Sequence, residues 1–163
     1  MTTQEAQRIG IRKAIAAVFI GLLVAQVIMT LFSTSDGNFW HGFFWFADFG
    51  YGLNIAVAVL VLLFLGFLFG RYAGKAILIR GKSWVSVGLI GGLCVLLLTA
   101  FSSGWVGFFQ EGLDNNFPYG STTEEPFLDY IVKPFFWVSL IGFIPALIVG
   151  LFCGYAIHKK KKE

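Results

Sequence analysis

Few residues of this chain have side chains that could catalyse a reaction or bind a metal, and most of these lie between its hydrophobic stretches. His41 and Asp48 are seven positions apart, so on a helix they would share one face and could form a metal-binding or acid–base pair. No third ligand lies near them in the sequence, and the other histidine, His158, lies close to the other end of the chain. Since metal and catalytic sites need several converging groups, we expect no metal, no cofactor and no enzymatic activity.

Short catalytic and nucleotide-binding motifs fail in the same way. Gly81-Lys82-Ser83 resembles the end of a phosphate-binding loop, but Ala76 stands where the first glycine is required, and no strand precedes it. The serine-nucleophile pattern Gly-x-Ser-x-Gly and the zinc pattern His-Glu-x-x-His are both missing from the sequence. An embedded enzyme using loop carboxylates is therefore only our third hypothesis.

A second set of polar residues lies inside the hydrophobic stretches. It consists of Gln26, Thr30, Asn54, Thr99, Ser102 and Ser103, with Ser139 of similar character. All fall in the same half of the predicted spans, the outer one. One hypothesis is a polar vestibule open to the outside, and the other, which we favour, is hydrogen bonding that holds the helices together.

The elements that must position these residues are membrane-spanning helices. The chain has 163 residues, of which 57% are hydrophobic, 18% aromatic and 13% charged, and its mean hydropathy is +0.78. A soluble domain has about 25% charged residues, so this composition excludes a soluble protein. Four stretches have the roughly 20 apolar residues that a membrane-spanning helix needs, at about 14–32, 51–70, 85–109 and 134–157.

The sequence therefore predicts an all-α integral membrane protein with four transmembrane helices in a single membrane domain. Between the spans we expect an aromatic segment in the membrane interface at about 38–50 and an outside loop at about 110–133. A basic tail, 158–163, follows the last span. Pro145 lies within the fourth span, where a kink is expected.

The charges predict the orientation in the membrane. All but one of the twelve lysines and arginines lie before the first span, between the second and third, or after the fourth, and Lys133 is the exception. By the positive-inside rule both termini are cytoplasmic. The loop between the second and third spans adds a cytoplasmic basic face formed by Arg71, Lys75, Arg80 and Lys82. We interpret this face as a binding surface for anionic lipid or for an acidic protein.

Glycine spacing indicates close helix packing and an internal repeat. Pairs four residues apart are Gly66 and Gly70, Gly88 and Gly92, and Gly150 and Gly154, a spacing that lets helix backbones approach each other within one chain or between copies. Trp40-x-Gly-Phe-Phe recurs as Trp105-x-Gly-Phe-Phe, and shorter echoes keep the same order along both halves. These matches favour a parallel 2+2 tandem repeat, but chance similarity between glycine- and phenylalanine-rich spans remains the alternative.

From the sequence we interpret the protein as a non-catalytic subunit, scaffold or membrane sensor in a homo- or hetero-oligomeric complex. The alternative is a small channel or facilitator for an uncharged or weakly polar solute. We expect membrane lipids, anionic on the cytoplasmic side, and copies of itself or other subunits as partners, and no nucleic acid. The expected location is a bacterial inner membrane.

Overall fold

The computed structural model describes residues 1–34, 39–44, 52–109 and 127–161, and every regular element in these ranges is helical. The helices are α1 (Thr3–Ser33), the short α2 (Phe39–Phe43), α3 (Gly52–Gly74), α4 (Trp84–Gly107) and α5 (Lys133–Lys159). A π-helical turn, Lys75–Ile79, continues α3, and another, Leu128–Val132, precedes α5. The predicted four long helices are confirmed, since four helices are long and apolar enough to cross a membrane.

The first helix begins well before its apolar stretch because its start is capped. The Thr2 hydroxyl accepts a hydrogen bond from the Glu5 backbone N–H at 3.2 Å, and the Glu5 carboxylate accepts one from the Thr2 backbone N–H at 2.7 Å. This reciprocal capping satisfies amide groups that a helix start leaves unpaired. The hydrogen bonds from Thr2 lower the pKa of Glu5, which lies outside the apolar stretch. The predicted boundary at about 14 therefore marks where the apolar residues begin, whereas the helix begins at Thr3.

The fourth long helix also begins earlier than the sequence predicted. The π-helical turn starts at Leu128, so the last residues of the predicted outside loop are already helical. Asp129 and Lys133 lie one turn apart there and form an exposed ion pair. Pro134 follows directly after this turn, at the start of α5. Pro145 lies inside α5, and the helix continues on both sides of it.

The four long helices form a ring in the order α1, α3, α4, α5, in which each packs against its two neighbours. Successive helices run antiparallel. We call the end where α1 and α4 begin the basic end, because it carries the positive charges in the first turns of α1, those at the end of α3 and between α3 and α4, and those that end and follow α5. We call the opposite end, which carries α2, the aromatic end.

The most tightly packed core lies at the basic end. Ile77 and Ile157 are the largest side chains with less than 2% of their surface exposed, and small residues such as Ala6 and Ala73 surround them. The turn that ends α3 contributes three consecutive buried side chains, Ala76, Ile77 and Leu78. This core closes the ring at the basic end. Large apolar side chains on the outer surface remain exposed, as expected of helices that face lipid.

The glycines at small-residue spacing pack inside the chain. A Cβ on Gly88 would lie 2.4 Å from the carbonyl oxygen of Gly150, and a Cβ on Gly150 would lie 2.4 Å from that of Gly88. One turn further along on each side, Gly92 faces the Ala146 carbonyl and Gly154 faces the Trp84 carbonyl. The α4 and α5 backbones are therefore in direct contact, an approach that only glycine allows.

The α1–α3 pair is built in the same way. Gly66 packs on Val18, and Gly70 packs on Ala14 and on the backbone of α1. Gly74, one turn on, lies against the carbonyl group of Ala6. Gly66, Gly70, Gly88, Gly92, Gly150 and Gly154 thus all contact a neighbouring helix of the same chain.

An aromatic contact joins the two helical pairs. The ring of Phe69 on α3 lies over Gly91 on α4, so closely that a Cβ on Gly91 would meet the ring. On the opposite side of the ring of helices, Gly21 of α1 faces Val149 of α5 at 4.0 Å. These two contacts between the pairs each place an apolar side chain opposite a glycine.

Candidate functional site

The six polar residues inside the spans lie on three of the four long helices. Gln26 and Thr30 lie where α1 meets α2, and Asn54 lies where α3 meets α4. The remaining three, Thr99, Ser102 and Ser103, lie on α4, which is opposite α1 in the ring. These residues therefore lie in three places, namely near α2, between α3 and α4, and along α4.

Gln26 connects α1 to α2. Its side-chain amide donates a hydrogen bond of 2.8 Å to the backbone carbonyl of Phe43 and a longer one of 3.4 Å to the Thr30 hydroxyl. Because Phe43 is the last residue of α2, the amide satisfies a carbonyl that the short helix cannot pair internally. The polar group of Gln26 is thus used inside the protein.

Thr30 and Thr34 extend this polar row along α1 at four-residue spacing. The Thr30 hydroxyl donates to the Gln26 carbonyl at 2.8 Å, and the Thr34 hydroxyl donates to the Thr30 carbonyl at 2.6 Å. Gly42 of α2 packs on them, since a Cβ there would lie 2.1 Å from the Thr34 hydroxyl oxygen. We call Gln26, Thr30 and Thr34 the polar row.

Thr99 and Ser139 are the two described residues with a buried side-chain oxygen that has no hydrogen-bond partner in the structure. They lie on α4 and α5, which run antiparallel. Gly88 faces Gly150 and Leu96 faces Gly142, and continuing that register along both helices brings Thr99 opposite Ser139. Two hydroxyls without partners thus occupy matching positions in one helix–helix interface.

The remaining predicted polar residues, Ser102, Ser103 and Asn54, have other surroundings than Thr99 and Ser139. The Ser102 hydroxyl donates to the Leu98 carbonyl of its own helix at 2.8 Å, and Ser103 is half-buried. The side-chain nitrogen of Asn54 would lie 3.4 Å from a Cβ on Gly107. None of these contacts joins Gln26 or Thr30 on α1 to the polar residues of α4.

The structure adds three residues that sequence reasoning missed, namely Thr34, Gly42 and Phe43. Thr34 continues the spacing of Gln26 and Thr30 by one more turn, so that signal was present in the sequence. Gly42 and Phe43 were recognised only as part of an aromatic segment. Their roles depend on how the chain folds back after α1, which no local pattern specifies.

The predicted cytoplasmic basic face lies at the basic end. Arg71, Arg80 and Lys82 are exposed there and Lys75 is half-buried. The Lys82 ammonium group lies 3.5 Å from the Tyr72 hydroxyl. Glu5, which caps α1, is the only carboxylate at this end among residues 1–34, 52–109 and 127–161. The basic end therefore carries a large excess of positive charge.

The candidate metal-binding and thiol residues fall only partly within the described ranges. Those ranges contain no group of three or more His, Cys, Asp or Glu side chains that could hold a metal ion. The imagined partner of His41, Asp48, lies outside the described residues, as does most of the predicted outside loop. Cys94 is exposed, Cys153 is buried, and both are free thiols.

An open groove of about 240 Å³ lies on α1, lined by Leu23, Val24, Val27 and Ile28. Its lining residues are all apolar and belong to one helix, so the groove resembles the surface that lipid chains cover. Comparison of the chain with protein families, with curated proteins and with solved structures finds no match.

Proposed function

We propose that the protein is a non-catalytic membrane subunit or scaffold whose basic end binds an anionic surface. The anionic surface is either lipid headgroups or an acidic protein partner. The observation that carries this proposal is the separation of charge, because all described cations except Lys133 lie at the basic end and its one described carboxylate is used to cap α1. Each cation near an anionic membrane surface contributes about 1 kcal/mol of attraction.

The same charges support an orientation with both termini in the cytoplasm of a bacterial cell. In that orientation Arg71, Lys75, Arg80 and Lys82 face the anionic leaflet, and α2 lies at the outer surface. The interior agrees with a non-catalytic role, since no Asp, Glu, Lys, Arg or His occurs within any of the four predicted apolar stretches.

The packing favours this role over a channel. Gln26 and Thr30, which would line an outer vestibule, are hydrogen-bonded to α2 and to α1 itself. At the basic end the buried side chains of Ile77 and Ile157 fill the space between the helices. For a conduit to pass through this chain alone, the hydrogen bonds of Gln26 and Thr30 and the packing of Ile77 and Ile157 would both have to change.

The glycine contacts also bear on how the chain assembles. The closest backbone contacts at the glycine pairs are made within the chain, so this spacing gives no support to a homo-oligomer over a complex with other subunits. We therefore place the partner at the basic end rather than along the glycine faces.

A tandem repeat is a further part of the proposal. Shifting α1 by 70 residues onto α4 and α3 by 84 onto α5 matches the contact of Val18 with Gly66 to that of Gly88 with Gly150. The same shifts match the contact of Ala14 with Gly70 to that of Trp84 with Gly154. The two contacts lie one turn apart in the same antiparallel register, and this shared register supports two equivalent helical hairpins.

The test is extraction from native membranes in mild detergent, followed by native mass spectrometry and identification of bound lipids and proteins. We expect a variant with Arg71, Lys75, Arg80 and Lys82 all replaced by glutamine to lose anionic lipid or an acidic subunit while keeping its thermal stability. Lys133→Gln, at the aromatic end, is the control and should change neither. Undiminished binding by the fourfold variant, with unchanged topology, would refute the proposal. A clean homo-oligomer without other subunits would return support to the channel hypothesis, to be followed by solute flux in liposomes.

A further inference from the structure

The short helix α2 folds back along the last turns of α1. Gln26 lies two turns, about 10 Å along the helix axis, before Ser33, yet its amide reaches the carbonyl of Phe43. Gly42 packs beside Thr34, nearer the end of α1. The C-terminal end of α2 is therefore the deeper one, at the level of the penultimate turns of α1.

The two partners of the Gln26 hydrogen bond satisfy each other in apolar surroundings. A helix of five residues cannot pair its last carbonyls internally, and an amide side chain in a membrane span also needs a partner. The glycine at position 42 permits the approach, and it is the one buried residue of α2. The packing of α2 on α1 therefore depends on the amide donor of Gln26 and on the absence of a side chain at Gly42.

Two aromatic side chains of α2, and that of Phe44, which follows it, are largely exposed. Phe39, Trp40 and Phe44 expose 57%, 66% and 49% of their surface. Their rings pack on one another, with Trp40 stacked on Phe44 at a centroid distance of 6.4 Å. Large exposed rings including tryptophan are typical of the lipid–water interface.

The matching Trp-x-Gly-Phe-Phe sequence at Trp105 has a different backbone, although the side-chain amide of Asn54 lies near its Gly107. Trp105-x-Gly-Phe-Phe continues α4, with Trp105 stacked on Phe109 along a single helix. No Gln or Asn occurs in α4, whereas α1 has Gln26. The motif is thus compatible with a continuous helix, so its sequence alone does not fold α2 back onto α1.

We propose that α2 is a membrane-interface anchor for the aromatic end of α1, and that Gln26 is the positioning residue that holds it folded back. Its binding partner is the lipid–water interface, which the exposed rings of Phe39, Trp40 and Phe44 contact. This inference requires that the four long helices span a membrane, but it does not depend on what the basic end binds. Without the Gln26 amide, α2 leaves the polar row and its rings move outward to the headgroups.

The experiment measures the depth of Trp40 in lipid nanodiscs. The chain has five tryptophans, so 5-fluorotryptophan labelling gives a small set of fluorine signals, and Trp40→Phe assigns one of them to Trp40. Line broadening by a water-soluble gadolinium chelate then reports the exposure of each ring to water. Gln26→Leu removes the donor, and Gly42→Ala places a Cβ 2.1 Å from the Thr34 hydroxyl oxygen, so the two variants release α2 by independent means.

Each variant has a matched control. Ser102→Ala removes a hydroxyl from a span without touching α2, and Gly52→Ala adds a methyl group where nothing lies within 4 Å. We expect Gln26→Leu and Gly42→Ala each to increase the broadening of the Trp40 signal at least about twofold, with Trp105 unchanged. Neither control should alter the Trp40 signal.

An unchanged Trp40 signal in both variants would overturn the proposal, as would equal broadening at Trp40 and Trp105, which would indicate general loosening of the bundle. A change in lipid or subunit binding at the basic end would not affect the interpretation of the Trp40 signal. A failure of this proposal and a failure of the proposed function are therefore measured at opposite ends of the protein.

Discussion

Gly88 and Gly150 meet so closely that a Cβ on either residue would lie 2.4 Å from the carbonyl oxygen of the other. The contact is reciprocal, and it sets the register of α4 against α5. In a bilayer the tails of lipids are as apolar as leucine, so such helices are held by close packing rather than by the hydrophobic effect. The α4–α5 contact should therefore be sensitive to a single methyl group.

We predict that Gly150→Ala lowers the free energy of unfolding by about 1–3 kcal/mol, because the added methyl group forces two backbones apart. Reversible unfolding in mixed micelles measures the effect. Gly52→Ala is the matched control, since its methyl group meets nothing within 4 Å and alanine is the better helix former. Equal stability of the two variants would contradict the close contact.

Phe69 and Gly91 form the second contact that we expect to be sensitive. Gly91→Ala should destabilise the protein because its Cβ would overlap the Phe69 ring. The cost should be smaller by about 1 kcal/mol or more when Phe69 is already alanine, because the ring that is displaced is then missing. A double-mutant cycle measures this coupling. Additive effects of the two substitutions would show that the ring does not lie on Gly91.

Thr99 and Ser139 provide a prediction of the opposite sign. Their hydroxyl oxygens are buried without a partner, so Thr99→Val and Ser139→Ala should leave the free energy of unfolding unchanged or raise it by up to about 1 kcal/mol. Thr30→Val is the comparison, because the Thr30 hydroxyl donates to the Gln26 carbonyl and accepts from the Gln26 amide. That variant should be destabilised by about 0.6 kcal/mol. A loss above about 1 kcal/mol for Thr99→Val would instead indicate that its hydroxyl is bonded in the membrane.

The two cysteines should differ in reactivity. Cys94 is exposed on the surface of α4 and Cys153 is buried in the core at the basic end. We predict one adduct when the folded protein in detergent is treated with N-ethylmaleimide and two after unfolding in SDS, as counted by intact mass. Cys94→Ser should remove the adduct that forms in the folded protein. Two adducts in the folded state would place Cys153 at the surface.

Some features of the fold follow from composition and could be predicted residue by residue. Long apolar stretches must form helices in a bilayer because their backbone groups can be paired only internally, so the four long helices were predictable. Their ends were less so. The helix α1 starts at Thr3 because Thr2 and Glu5 cap it, and the fourth helix starts at Leu128 because a π-helical turn extends it.

The packing of the polar residues could not be predicted in the same way. Gln26 and Thr30 were recognised as one face of a helix, but their partner Phe43 lies beyond the end of α1. Thr99 and Ser139 were recognised as polar, but their matching positions depend on the register of α4 and α5. Both relationships join segments distant in sequence, and no local spacing specifies them.

By itself the sequence determined that the chain forms four apolar helices and that its positive charges gather in three segments at the predicted span ends. Only the tertiary structure decided which faces meet, which glycines contact which carbonyls, and that α2 folds back onto Gln26. The physical reason is that these helices are apolar on all sides. Because lipid and protein interior are equally apolar, hydrophobic periodicity does not mark the packed face, and close backbone contacts and single hydrogen bonds select it instead.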